Sequence, residues 1–285
     1  MSFLQVIVLA IVQGLAELLP VSSSAHVVVA EKLMGLDPSS PPMTLLLVML
    51  HTGTMFAVIV HFWARWRTTY FQSAETFKRS AGLVMLATIL TGIVGEVIIK
   101  VIEGTVFKGL PHVEIEDLFS HLEWIAPALA AAGILILIAG IFEKSNPSQT
   151  LPGEKGLTLT QASLVGTVQG LCLPFRGFSR SGATISAGML AGVTKSSAEA
   201  FSFALAVVLT PAVVVREALR LTHSGGASLG SAMGPSLVGA VLAFAAGLAA
   251  LRWLSQWLEG GRWYLFGIYC LLAACAVTGL HYAGY

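Results

Sequence analysis

Charge is what this sequence has least of. Only 11% of its 285 residues are Asp, Glu, Lys or Arg, against about 25% in an ordinary soluble domain. So little charge excludes a water-facing surface of normal composition. The few charges nearly cancel, leaving a net +1, so no basic surface is available for nucleic acid. Cysteine is also scarce. Cys172, Cys270 and Cys275 lie in apolar stretches without metal-ligand spacing, which excludes a disulfide framework and a zinc site. No Lys or Arg precedes Lys32. The basic n-region of a signal peptide is therefore missing, and the N-terminus is read as mature structure.

What remains is apolar. Hydrophobic residues make up 55% of the chain and the mean hydropathy is +0.81, the composition of an all-α integral membrane protein. A crossing needs about 20 consecutive apolar residues. Runs of that kind are clearest near 43–63, 82–102, 124–142, 198–217, 233–254 and 263–282, which predicts six transmembrane helices. Two further apolar segments, about 3–35 and 158–193, are interrupted, at Pro20-Val21-Ser22 and between Pro174 and Ser181. Each half-segment holds ~15 residues, roughly 23 Å of helix, short for a full crossing. Both segments are read as re-entrant helical hairpins, whose non-helical backbone needs surrounding protein or a water-filled cavity.

Basic residues set the orientation. Arg65, Arg67, Lys78 and Arg79 follow the first crossing, and Glu114, Glu116 and Asp117 follow the second. Basic loops stay in the cytoplasm, so six crossings put both termini outside. The polar connector Ser145–Gly153 separates two halves, 1–144 and 154–285, of a single membrane domain over 1–285. Each half reads as one broken hairpin followed by three spans. An odd number of spans makes the second copy enter inverted, the plan of an inverted-topology repeat. Val12-Gln13-Gly14-Leu15 returns as Val168-Gln169-Gly170-Leu171, and both copies run on to a proline and a serine cluster.

The chemistry is concentrated at the two breaks. Gln13 and Glu17 share a helix face at i,i+4 spacing. Pro20 ends that helix, and Ser22, Ser23 and Ser24 can cap the next one, whose first-turn N–H groups form an anion site. His26 lies on that turn as a candidate proton donor or nucleophile. At the second break Gly177 and Gly182 allow close backbone approach. Ser179 and Ser181 can cap the following helix, Thr184 adds a hydroxyl, and Arg180 offers a fork matched to phosphate oxygens. Placing Glu17, Arg176 and Arg180 in a bilayer costs roughly 2.5–3.5 kcal/mol each on insertion scales. A Glu17–Arg180 pair that pins the hairpins together would offset part of that cost, yet would leave the serines and His26 unexplained. His51 reads as a packing residue bonded to a neighbouring helix.

Gln13-x-x-x-Glu17 with Pro20-x-Ser22-Ser23-Ser24-x-His26, and Gly177-Phe178-Ser179-Arg180-Ser181-Gly182-Ala183-Thr184, resemble the two motifs of the bacterial undecaprenyl-pyrophosphate phosphatase family, the bacitracin-resistance type. The resemblance runs over essentially the whole chain, through Leu50-His51-Thr52-Gly53-Thr54 and Phe201-Ser202-Phe203. It implies six spans plus two re-entrant hairpins, in a bacterial plasma membrane. The implied activity is removal of the terminal phosphate of a polyprenyl pyrophosphate at the outer face, with a divalent cation, Mg²⁺ or Ca²⁺. By the resemblance Glu17 helps hold the metal or a proton, with Gln13 beside it. Arg180 clamps the pyrophosphate, while Ser22, Ser23, Ser179 and Thr184 line the site. His26 is acid/base or nucleophile, and Ser23 is the competing nucleophile. Ser24, Arg176, Gly177, Ser181 and Gly182 complete the expected substrate contacts. The expected partners are the lipid substrate, membrane lipids and a second copy in a homodimer. The alternative is a transporter or flippase of the polyprenyl phosphate, which needs anion binding but no nucleophile. Three departures mark a divergent branch. Arg176 stands where the family has proline, Ile268-Tyr269-Cys270 loses the arginine of an Ile-Tyr-Arg pattern, and a proline absent at Val208 appears at Pro211.

Overall fold

The computed structural model describes residues 2–37, 40–105, 122–145, 157–223, 229–259 and 261–284. The acidic loop at 114–117 and the connector at 146–153 lie outside these. Among the described residues there are ten helices and no strand. They are α1 (Phe3–Leu18), α2 (Ser23–Leu33), α3 (Pro41–Thr69), α4 (Ala74–Thr105), α5 (Leu122–Ser145), α6 (Leu159–Cys172), α7 (Arg180–Leu190), α8 (Lys195–His223), α9 (Leu229–Glu259) and α10 (Tyr264–Tyr282).

Five of them, α3, α4, α5, α9 and α10, contain segments long and apolar enough to cross a membrane, and the chain is a multi-pass membrane protein. The sixth expected crossing falls within α8, a 29-residue helix with Pro211 inside it that is not among those five. The outer faces are as apolar as the interior. Met85, Ile89, Ile93, Val97 and Val101 repeat every four residues along α4 and all are exposed. A continuous aliphatic stripe of this kind suits lipid rather than water. Small residues face inward instead, letting backbones approach closely.

The short helices α1/α2 and α6/α7 form two hairpins built alike. Each opens with a capping box, Ser2 with Gln5 and Thr158 with Gln161. Each box glutamine then reaches across the hairpin base: Gln5 Nε2 donates to Met34 O at 3.4 Å and Gln161 Nε2 to Ala191 O at 3.1 Å. The two hairpins pack on different long helices, α1 against α9 and α6 against α4. The repeated Val-Gln-Gly-Leu supplies the contact. A Cβ on Gly14 would lie 2.6 Å from Ala246 Cβ, and one on Gly170 would lie 2.7 Å from Val94 Cβ. The two copies differ elsewhere: α7 packs on α5 and α8 as well as α6, while α2 packs chiefly on α1. Lys195 and Glu143, 2.8 Å apart and largely buried, tie the start of α8 to the end of α5.

Candidate active site

The two hairpin turns meet. Pro20 follows the end of α1, and the chain turns through Ser22, whose φ of 68° is the only positive value at a non-glycine among the described residues. A side chain in that region is costly and concentrates at functional sites. Ser22 is the N-cap of α2, yet its hydroxyl makes no capping bond. It meets Ser24 Oγ instead, at 3.3 Å. The first-turn amides of α2 are thus left without a side-chain cap, the arrangement that receives an anion. At the other turn Gly177 has φ +101°, and a Cβ there would lie 2.5 Å from Ile125 O. Only glycine lets this loop lie so close to α5. Its N–H donates to Ser24 Oγ at 3.3 Å, and Ser181 Oγ donates to Leu19 O at 3.3 Å, stitching the turns together.

Glu17 is the centre of the cluster. Its Oε1 accepts from Arg180 Nη2 at 2.8 Å. Its Oε2 accepts from Ser23 Oγ and from Gln13 Nε2, the latter at 3.2 Å. His51 Nε2 lies 3.7 Å from the same oxygen, while its Nδ1 sits 2.8 Å from Leu47 O. The residue expected as plain packing therefore faces the carboxylate. Glu17 and Arg180 keep only 15% and 23% of their side-chain surface exposed, so their attraction is screened far less than at a surface. Among the described residues only this guanidinium contact is made, and the rest of the fork can serve a second anion.

His26 is oriented separately. Its Nδ1 lies 2.7 Å from Ser22 O, a carbonyl that can only accept, so Nδ1 carries the hydrogen and Nε2 the lone pair of the neutral ring. Nε2 is 2.7 Å from the hydroxyl of Tyr269 on α10. The two rings also stack, with centroids 5.6 Å apart and planes 11° from parallel. Next to Tyr269, Cys270 is fully buried and its Sγ donates to Pro20 O at 3.5 Å. The thiol thus packs against the first turn, where the arginine of the family pattern would need far more room.

Other expected residues bond or pack elsewhere than on Glu17. Ser179 caps α7 through Gly182 N at 3.2 Å. Thr184 is buried, and its hydroxyl meets Arg180 O at 2.7 Å and Ser202 Oγ at 2.6 Å, which joins α7 to α8. A Cβ on Gly182 would lie 2.6 Å from Ile136 Cδ1, so this glycine serves the α7–α5 contact. Arg176 lies within electrostatic reach of Glu31, whose carboxylate is fully buried with no hydrogen-bond partner on either oxygen among the described residues. Sequence reasoning singled out neither Tyr269 nor His51 as a site residue. The signal for His51 was the polar run Leu50-His51-Thr52-Gly53-Thr54 inside an apolar span, and for Tyr269 the Ile-Tyr-x pattern.

The profile of the bacitracin resistance protein BacA matches residues 6–276. The chain belongs to this family. An undecaprenyl-diphosphatase 2 from Acinetobacter baylyi is 56% identical over 288 residues, covering 98% of each chain. An undecaprenyl-diphosphatase 2 from Burkholderia orbicola is 34% identical over 290 residues, with 98% of this chain and 97% of the relative aligned. An undecaprenyl-diphosphatase 1 from Burkholderia pseudomallei is similar to the same extent. In this BacA family member both motifs fall on the hairpin turns that meet at Glu17.

Proposed function

We propose that this BacA family member is an undecaprenyl-diphosphatase. It hydrolyses the terminal phosphate from undecaprenyl pyrophosphate, recycling the lipid carrier for cell-wall synthesis and conferring bacitracin resistance. The observation that carries the chemistry is the Arg180–Glu17–Ser23 line: a cation, a base and a hydroxyl on one carboxylate, beside the uncapped start of α2. In this reading the free part of the Arg180 fork and the α2 amides neutralise the terminal phosphate. Glu17 Oε2 takes the Ser23 proton as Oγ bonds to the terminal phosphorus. The bond to the bridging oxygen breaks and undecaprenyl phosphate leaves. Water then attacks the phosphoserine with His26 as its base, and Glu17 returns its proton to Ser23 Oγ.

A divalent cation fits this donor set. No group of three His, Cys, Asp or Glu occurs together among the described residues, so an all-protein cage is not indicated. One carboxylate, Glu17, with the Gln13 amide beside it, matches the habit of Mg²⁺, which binds one or two carboxylates and completes its shell with water and phosphate oxygens. The ion would supply further charge neutralisation on the pyrophosphate.

The architecture belongs to the same proposal. Six crossings, with α8 as the sixth, flank two re-entrant hairpins, and the halves 1–144 and 154–285 form an inverted repeat. The exchanged contacts of α1 with α9 and α6 with α4, and the paired glutamine bridges, support two like halves. The protein would lie in the bacterial plasma membrane with the site serving its outer face. The same repeat supports a second reading, transport of the polyprenyl phosphate. Phosphate release by purified protein from undecaprenyl pyrophosphate, with Mg²⁺ and with EDTA, separates the two. Metal-dependent release supports the phosphatase. No release from protein that still binds the lipid would sink it in favour of transport.

A further inference from the structure

The reactive nitrogen of His26 is already engaged by a hydroxyl. Nδ1 is fixed as a donor by Ser22 O, so Nε2 is the ring's only acceptor in the neutral state. The hydroxyl 2.7 Å from it must then donate, and Tyr269 O–H points at Nε2. The near-parallel stacking of the rings holds this arrangement, and the Cys270–Pro20 contact holds α10 beside the turn that carries His26. A base whose lone pair is already engaged cannot take a proton from water directly. The phenol oxygen in contact with it still has lone pairs to accept a proton. The Tyr269 side chain is only half-buried.

We infer that Tyr269 is a catalytic residue that relays the proton of the attacking water to His26. The inference rests on the two-step reading above, in which His26 is the base of the second step. The attacking water bonds through oxygen to the phosphorus of phosphoserine 23. Its proton passes to Tyr269 Oη as the phenolic proton passes to His26 Nε2. The Oγ–phosphorus bond breaks, Oγ recovers its proton from Glu17, and inorganic phosphate leaves. His26 ends as imidazolium with Tyr269 again neutral and accepting from it, and later loses the proton to solvent. The phenol can bond to either state of the ring, as donor to the neutral form and acceptor from the cation. Phenylalanine can do neither, while preserving the stack.

The relay acts only in the second step, which separates it from a structural role. In rapid-quench turnover of undecaprenyl pyrophosphate labelled in its terminal phosphate, Tyr269→Phe is expected to form the phosphoenzyme at the wild-type rate. Steady-state phosphate release should slow by about tenfold or more, so labelled Ser23 accumulates. Tyr269→Phe combined with His26→Ala should be no slower than His26→Ala alone, since the phenol works through the ring. Equal slowing of both steps, unchanged phosphate release, or independent multiplication of the two effects would overturn the relay. A wild-type protein that releases phosphate without passing through phosphoserine would overturn the two-step reading itself, whatever the variants do.

Discussion

Arg180→Ala and Arg180→Lys together test how the cluster divides its work. Alanine removes the 2.8 Å contact to Glu17 Oε1 and leaves a largely buried carboxylate. Losing one partner of a buried pair costs about 3–5 kcal/mol when the other charge is stranded. Glu17 keeps the Ser23 and Gln13 donors, so about 2–3 kcal/mol of stability is the expected loss. The rate should suffer more. A donor aimed at developing charge is worth roughly 2.7–4 kcal/mol, which lowers kcat/KM by about 10²–10³-fold. Lysine separates the two roles. Its ammonium can hold Glu17 or the phosphate but lacks the planar fork that serves both. The lysine variant should therefore unfold within about 1 kcal/mol of the wild type, yet lose about tenfold or more in kcat/KM. Thermal unfolding in detergent and phosphate release from undecaprenyl pyrophosphate give both quantities on the same sample. Full activity in the lysine variant would refute the fork argument. An alanine variant that is destabilised but fully active would reduce Arg180 to a pin between the hairpins.

Three further expectations concern the frame around the site. Gly177→Ala places a Cβ against Ile125 O in a backbone region that disfavours side chains, so thermal stability should drop by about 1–3 kcal/mol and activity with it. Ser22→Gly relieves the positive φ and should raise thermal stability by about 1 kcal/mol, with lower activity if the serine contacts substrate. Gln5→Ala and Gln161→Ala each remove a hairpin bridge and should cost similar amounts, about 1 kcal/mol each in thermal unfolding. A large disparity between them would contradict the likeness of the hairpins.

The sequence was most legible where a local rule decides the outcome. Unbroken apolar runs marked five helices that can cross a membrane and the long helix α8. Pro20 marked the end of α1, and the second break fell between α6 and α7, as read. The repeated Val-Gln-Gly-Leu hinted at paired elements, although its packing meaning, glycine pressed against a long helix of the other half, needed coordinates. Gln13 and Glu17 came together because i,i+4 spacing on a helix guarantees it. Contacts between segments distant in the chain had no such signal. Tyr269 lies 243 positions from His26, and nothing local says that the rings meet. His51 looked like a packing histidine because α3 is apolar on both sides of it, while the approach of α1 decides what it faces. The partners of Thr184 and Ser179, Ser202 on α8 and the first-turn amide of Gly182, also had no local signal beyond the capping type of Ser179.

The most direct measurement is to stop a single turnover of terminally labelled undecaprenyl pyrophosphate in denaturant at neutral pH and locate the label on the protein by mass spectrometry, before and after exposure to acid. The account predicts an acid-stable phosphoryl group on Ser23 that forms before free phosphate appears and is absent from Ser23→Ala. Label on His26, or release of phosphate by fully active Ser23→Ala, would contradict it.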